Sequence, residues 1–217
     1  MTIDDYANIH GTDKGSRFRH HQISGQLLPE TVRRAGGVLL PDGMVHAKTY
    51  DKYITGLRDK PITLLELGIG CGASLKMWYD AFPFATIYGW GGDNHGDFQN
   101  ERIKTFTFLQ QDRKGTTELA RSLARGCDVI VDDCSHNGAW QQLSLAILFP
   151  FLALDGYYFI EDVDVSPDTV CLAQKYIETG VFKSPSATDA ENTYIQRTAT
   201  CEFAGINNIL FRKVREC

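Results

Sequence analysis

The stretch ITLLELGIGCGASLKMWYDAF, residues 62–82, sets the architecture. Its first half is a continuous apolar run closed by glycines, the pattern of a strand buried on both faces. From Ala73 onward, apolar residues recur at helical spacing. A strand that turns on glycine straight into a helix is the first step of a βαβ unit. The rhythm then repeats. ATIYGW (85–90) and TFTFLQ (105–110) read as the second and third strands, TTELARSLAR (116–125) as a helix and DVIVDD (128–133) as the fourth strand. NGAWQQLSLAILFPFL (137–152) reads as a helix and GYYFIED (156–162) as the fifth strand. SPDTVCLAQKYIETG (166–180) reads as a helix with Ser166 as cap and Pro167 in its first turn. TYIQRTATCEF (193–203) and NNILFRKV (207–214) read as two strands with no helix between them, an antiparallel hairpin. The expected class is α/β, with a mostly parallel sheet.

Residues 1–60 have a different texture. DDYANIH reads as a short helix ending at Gly11, and HAKTYDKYITGLRD as a tyrosine-bearing helix. Between them lie short elements punctuated by Pro and Gly. The expected division is an N-terminal helical and loop segment, 1–60, and an α/β domain, 61–217. The bulk numbers fit one globular domain with an appendage: 217 residues, 43% apolar, 23% charged. A net charge of -5 and no basic stripe argue against a nucleic-acid partner. The longest apolar run, LSLAILFPFLAL, is too short to span a bilayer and is broken by Pro150. The polar start does not read as a signal peptide, and six Cys without a framework spacing read as reduced thiols. A cytoplasmic protein is expected.

In an open parallel sheet, ligands bind outside the carboxyl ends of the strands. Strand one ends in ELGIGCGAS (66–74), where glycines let backbone approach a ligand closely. Glu66 just before them, with Asp93 at the next strand end, suits S-adenosyl-L-methionine, whose sulfonium and amino groups are cationic. Strand four ends at Asp132 and Asp133, and strand five at Glu161 and Asp162. Asp133, Glu161 and Asp162 on neighbouring strands would repel unless a cation sat between them. Oxygen ligands of that kind suit Mg²⁺ or Mn²⁺. His136, three residues past Asp133, shares their turn and is a candidate base. The plainer reading makes these acids helix caps or salt-bridge partners.

LLELGIGCGASLKMW, VDDCSH and GYYFIED, with GTDK at 11–14, resemble the metal-dependent sugar O-methyltransferases of antibiotic biosynthesis, of the mycinamicin and rhamnosyl type. The resemblance implies a Rossmann-like class I methyltransferase fold, with a seven-stranded sheet and a C-terminal antiparallel strand. It implies Mg²⁺ on Asp133, Glu161 and Asp162, and His136 as general base with Asp133 beside it. Glu66, Gly68, Gly70, Ser74, Asp93, Asp112 and Asp132 become the expected cofactor contacts. Residues 61–217 become the cofactor-binding domain and 1–60 the substrate cover. The acceptor is expected to be a small molecule, a sugar or other vicinal diol, and the first sixty residues offer a surface for a homo-oligomer. Cys134 stands where the family usually has Gly. Two rival readings remain open. GIGCGA with Asp93 also fits a nicotinamide-dependent oxidoreductase, in which the paired acids have no task. The fold could also serve a non-catalytic binding protein.

Overall fold

The computed structural model describes residues 1–15, 17–18, 38–39, 46–92, 98–123, 126–205 and 207–216. Helix α1 (Ile3–His10) is closed at its start by a reciprocal cap. The Thr2 hydroxyl accepts from Asp5 N at 3.0 Å, and the Asp5 carboxylate accepts from Thr2 N at 2.7 Å. Gly11, at φ 67°, ends it in the left-handed region that glycine enters without penalty. Arg17–Phe18 pairs antiparallel with Val38–Leu39. Helix α2 (His46–Ile54) and a 3-10 turn, Thr55–Leu57, then lead to the sheet.

The strands are β1 (Thr63–Leu67), β2 (Thr86–Gly91), β3 (Ile103–Thr107), β4 (Cys127–Asp132), β5 (Leu152–Ile160), β6 (Ala199–Phe203) and β7 (Ile209–Lys213). Their spatial order is β3-β2-β1-β4-β5-β7-β6. β1 to β5 run parallel, and β7 lies antiparallel between β5 and β6. Helices α3 (Ala73–Ala81), α4 (Arg113–Ser122), α5 (Gly138–Leu148), α6 (Pro167–Thr179) and α7 (Asp189–Thr198) complete the domain.

Successive side chains on a strand leave opposite faces of the sheet. Leu65, Leu67, Ile130, Tyr158 and Ile160 therefore enter one core, with Leu119, Leu145, Leu172 and Ile195 of α4 to α7. Leu64, Val129, Val131 and Phe159 enter the other, with Ile3, Tyr50 and Trp78 of α1 to α3. The result is three layers, helices on both faces of the sheet.

The structure corrects the sequence reading in several places: the third strand is Ile103–Thr107, not 105–110, and the helix after it Arg113–Ser122, not 116–125. Residues 193–198 are not strand: they form the last turns of α7, and only from Ala199 does the chain extend. The reason is a cap. Thr188 accepts from Glu191 N, and Glu191 accepts from Thr188 N at 2.7 Å, which nucleates a helix that strand-favouring Tyr194 and Ile195 then continue. Helix α5 stops at Leu148, because Pro150 cannot continue it, and Phe149–Phe151 tighten into a 3-10 turn. β5 consequently starts at Leu152, not at Gly156. Ser166 precedes α6, with Pro167 first in the helix, but makes no capping bond; its hydroxyl donates to the His136 carbonyl at 2.5 Å. Thr188→Ala is expected to cost about 1 kcal/mol of stability in urea unfolding; no loss would mean that α7 does not depend on its cap.

Candidate active site

The strand order reverses between β1 and β4, and the crevice of an open α/β sheet lies at such a switch point. Backbone bonds carry the chain one residue past each strand. Asp133 N donates to Leu67 O at 2.9 Å, Glu161 N to Asp132 O at 2.9 Å, and Gly68 N to Trp90 O at 2.7 Å. Gly68 passes directly beneath the Asp133 carbonyl. With φ at 96°, an added Cβ would fall 1.9 Å from that oxygen.

Glu66 shares the face of Leu64, the side of α1 to α3, and here three carboxylates meet one ammonium. Lys14 Nζ lies 2.5 Å from Asp133 Oδ2, 2.7 Å from Glu161 Oε2 and 3.5 Å from Glu66 Oε1. Its side chain is 1% exposed. Lys14 arrives just after α1, and its carbonyl accepts from Ala47 N at 2.9 Å, which pins it to α2. Burial opposes its charge, but Asp133, Glu161 and Glu66 hold the ammonium well above the usual lysine range. Burial pushes the Glu66 carboxyl up to about 7, against the pull of Lys14, while the Ser74 hydroxyl donates to Oε2 at 2.8 Å. Burial also raises Asp133, again against Lys14. Glu66 Oε1 and Glu161 Oε1 are buried with no hydrogen-bond partner.

Asp162 occupies the outer side of the cluster, between two imidazoles. His46 Nε2 lies 3.3 Å from Oδ1 and His136 Nε2 lies 3.7 Å from Oδ2. Asn207 Nδ2 donates to Oδ1 at 2.8 Å. Burial works against the Asp162 charge, yet His46 holds it below the ordinary aspartate value. His46 Nδ1 is 2.8 Å from Asn208 Oδ1. Burial opposes the His46 charge as well, and Glu161 and Asp162 lift it to about 9. His136 Nε2 is 4.0 Å from Asp133 Oδ1, while its Nδ1 is buried and unpartnered. Asp133, His136 and Asp162 each present one ligand atom, all within 4.8 Å of one another. These oxygens and one imidazole nitrogen suit a hard divalent cation; Glu161, the third expected ligand, is not in that group and faces Lys14.

Glu66, Asp133, Glu161, Asp162 and His136 thus come together, with Ser74 behind Glu66. Asp132 does not join them. It points to the opposite face, where Gln110 Nε2 donates to its oxygens at 2.9 and 3.1 Å and the Tyr158 hydroxyl donates at 3.4 Å. Burial pushes its carboxyl up to about 8. Asp112 is exposed and caps α4, accepting from Lys114 N at 3.0 Å. Gly70, at φ 50°, borders open space. Asp93 lies outside the described residues, as do 19–37 and 40–45 of the expected substrate cover. Lys14, His46, Gln110 and Asn208 went unassigned in the sequence. The GTDK tetrapeptide marked Lys14 without giving it a partner, and LQQD placed Gln110 at a strand end. His46 and Asn208 carried no signal, since they meet across 162 positions.

This sheet order and layering define the class I methyltransferase fold. The MycE methyltransferase of the mycinamycin pathway, solved in complex with Mg and SAH, superposes with a TM-score of 0.75 at 22% identity, over 99% of this chain and 55% of that one. Among curated proteins, the chain is 35% identical over 138 residues to L-olivosyl-oleandolide 3-O-methyltransferase of Streptomyces antibioticus, covering 57% of this chain and 34% of the relative. It is 33% identical over 130 residues to mycinamicin VI 2''-O-methyltransferase of Micromonospora griseorubida, covering 56% and 32%. The match thus spans about a third of those relatives' length. No protein-family model matches the chain.

Gly68→Ala is expected to destabilise the protein by about 3 kcal/mol, combining a positive φ with a backbone clash. Gly70→Ala, with open space around its Cβ, should cost only about 1 kcal/mol. Urea midpoints of the two variants check the contrast, and equal losses would refute the packing of Gly68 under Asp133.

Proposed function

We propose that the chain transfers a methyl group from S-adenosyl-L-methionine to a hydroxyl of a small natural-product acceptor, a sugar or another vicinal diol. The observation that carries this reading is the gathering of Glu66, Asp133, Glu161, Asp162 and His136 at the switch point, where Glu161 Oε1 is buried with no hydrogen-bond partner among the described residues. The similarity to sugar-modifying O-methyltransferases, and a fold shared with a protein that binds Mg and SAH, support it.

In this reading Glu66, Gly68, Gly70, Ser74, Asp93 and Asp112 bind the cofactor, and Asp132 braces the end of β4 from the far face. Asp133, Glu161 and Asp162 hold Mg²⁺ or Mn²⁺, which when bound supplies a Lewis acid that lowers the pKa of an acceptor hydroxyl. His136 removes the hydroxyl proton at Nε2, the ring nitrogen turned toward Asp133 and Asp162. Ser166 fixes the His136 carbonyl and so the direction of the ring. Residues 1–60 cover the acceptor and exclude water, so that much of the rate comes from alignment. The partner is a small molecule rather than nucleic acid or membrane, and the setting is the cytoplasm. Among the described residues no helix is long and apolar enough to cross a membrane.

Isothermal titration of the metal-stripped protein with S-adenosylhomocysteine should give saturable binding. Asp133→Asn should keep that binding and lose the response to Mg²⁺. Against a diol acceptor, His136→Ala should lose about 10²- to 10⁴-fold in turnover with cofactor binding intact. Absence of S-adenosylhomocysteine binding under any metal condition would overturn the proposal, and unchanged turnover in His136→Ala would remove the base.

A further inference from the structure

We propose that Lys14 is the resident counter-cation of the carboxylate cluster, and that a divalent metal reaches its full ligand set only by displacing the Lys14 ammonium from Asp133 and Glu161. The inference rests on the metal-dependent reading above and assigns a residue that reading leaves without a task.

Three observations converge on it. First, Lys14 Nζ contacts Asp133 Oδ2 at 2.5 Å and Glu161 Oε2 at 2.7 Å. These oxygens belong to two of the three expected ligands. A divalent ion held by the other oxygens of the same carboxylates would sit within a few ångström of the ammonium, and the two cations repel at that range. Second, the lysine splits the ligand set. Asp133, His136 and Asp162 converge within 4.8 Å, whereas Glu161 commits Oε2 to Lys14 and leaves Oε1 buried and unpartnered. Third, the geometry permits exchange. The Lys14 backbone is held by Ala47 N, while its ammonium sits at the end of a flexible four-carbon stem. Lys14 thus sets a positive charge against Glu66, Asp133 and Glu161 until the metal arrives.

The test is Mg²⁺ titration of the full, metal-stripped chain with S-adenosylhomocysteine bound, in wild type and in Lys14→Met. The variant should bind Mg²⁺ about tenfold more tightly or better, since no buried ammonium has to leave. Reductive methylation read by peptide mass spectrometry gives a second measurement on the unmodified sequence, should the variant fail to fold. Lys14 should be protected without metal and labelled once Mg²⁺ saturates; protection that persists at saturation would overturn the assignment. Equal or weaker Mg²⁺ binding in Lys14→Met would also overturn it, leaving the metal-dependent reading intact. Binding in the variant alone would support Lys14 as the occupant and overturn metal dependence of the wild-type chain. Binding in neither, with S-adenosylhomocysteine still bound, would overturn both.

Discussion

A single buried ammonium holds the two halves of the chain together. Removing a charge from water costs several kcal/mol even after relaxation, and a cluster of like charges costs more. Glu66, Asp133 and Glu161 end adjacent strands of one sheet and bring three such charges to one point. No residue of those strands neutralises them. The compensation comes from Lys14, more than a hundred positions from Asp133 and Glu161, which can reach them only if α1 and α2 dock over α3 and that face of the sheet. The α1 caps, the Ala47–Lys14 backbone bond and the aromatic packing of Tyr50 on Trp78 and Phe159 serve that docking. The N-terminal segment is thereby part of the site.

The two-residue period of a strand explains why neighbouring acids have different surroundings. Asp132 and Asp133 are adjacent in sequence, and each is followed along the chain by small polar groups. Yet Asp132 shares the face of Ile130 and is enclosed by Gln110, Tyr158 and the α4–α5 layer. Asp133, beyond the end of the strand, turns to the crevice and to Lys14. Gln110 links the two environments: its amide donates to Asp132 while its carbonyl accepts from Ser135 N at 3.1 Å. The loop that carries His136 is tied in this way to the floor of the domain.

This division decides what the sequence could reveal. Continuous apolar runs ending in glycine or acids betray buried parallel strands, because nothing else in a globular chain needs them. Hence β1, β2, β4 and β5, and the edge where the acids gather, were legible from residue order alone. The misreading of residues 193–198 has a local cause: Tyr194 and Ile195 favour strands, but the cap at Thr188 outweighs them. Asp133, Glu161, Asp162 and His136 were legible because they cluster at strand ends. Lys14 and His46 were not, because their partners are distant in sequence and pairing is a property of the folded chain. Asp112 shows the converse case: read at a strand end, it lies beyond the end of β3 at Thr107 and caps α4.

The distribution of strain indicates which parts of the site can move. Among the described residues three non-glycine residues have positive φ, and two of them, His136 and Asp162, face each other across the cluster. Such conformations cost about 1 to 3 kcal/mol each and persist only where the surroundings over-determine them. Here they do. Ser166 holds the His136 carbonyl, while Asn207 and His46 hold the Asp162 carboxylate. Glu66 is fixed by Ser74, and Asp133 by the ladder bond to Leu67. The imidazole and the carboxylates therefore occupy prepared positions, and rearranging their backbone would forfeit several bonds at once. Lys14 differs: its backbone is anchored, but its ammonium, at the end of a flexible stem, is held by ion pairs and hydrogen bonds to Asp133 and Glu161. A rigid ring of acids around one exchangeable cation locates adjustment at a single side chain.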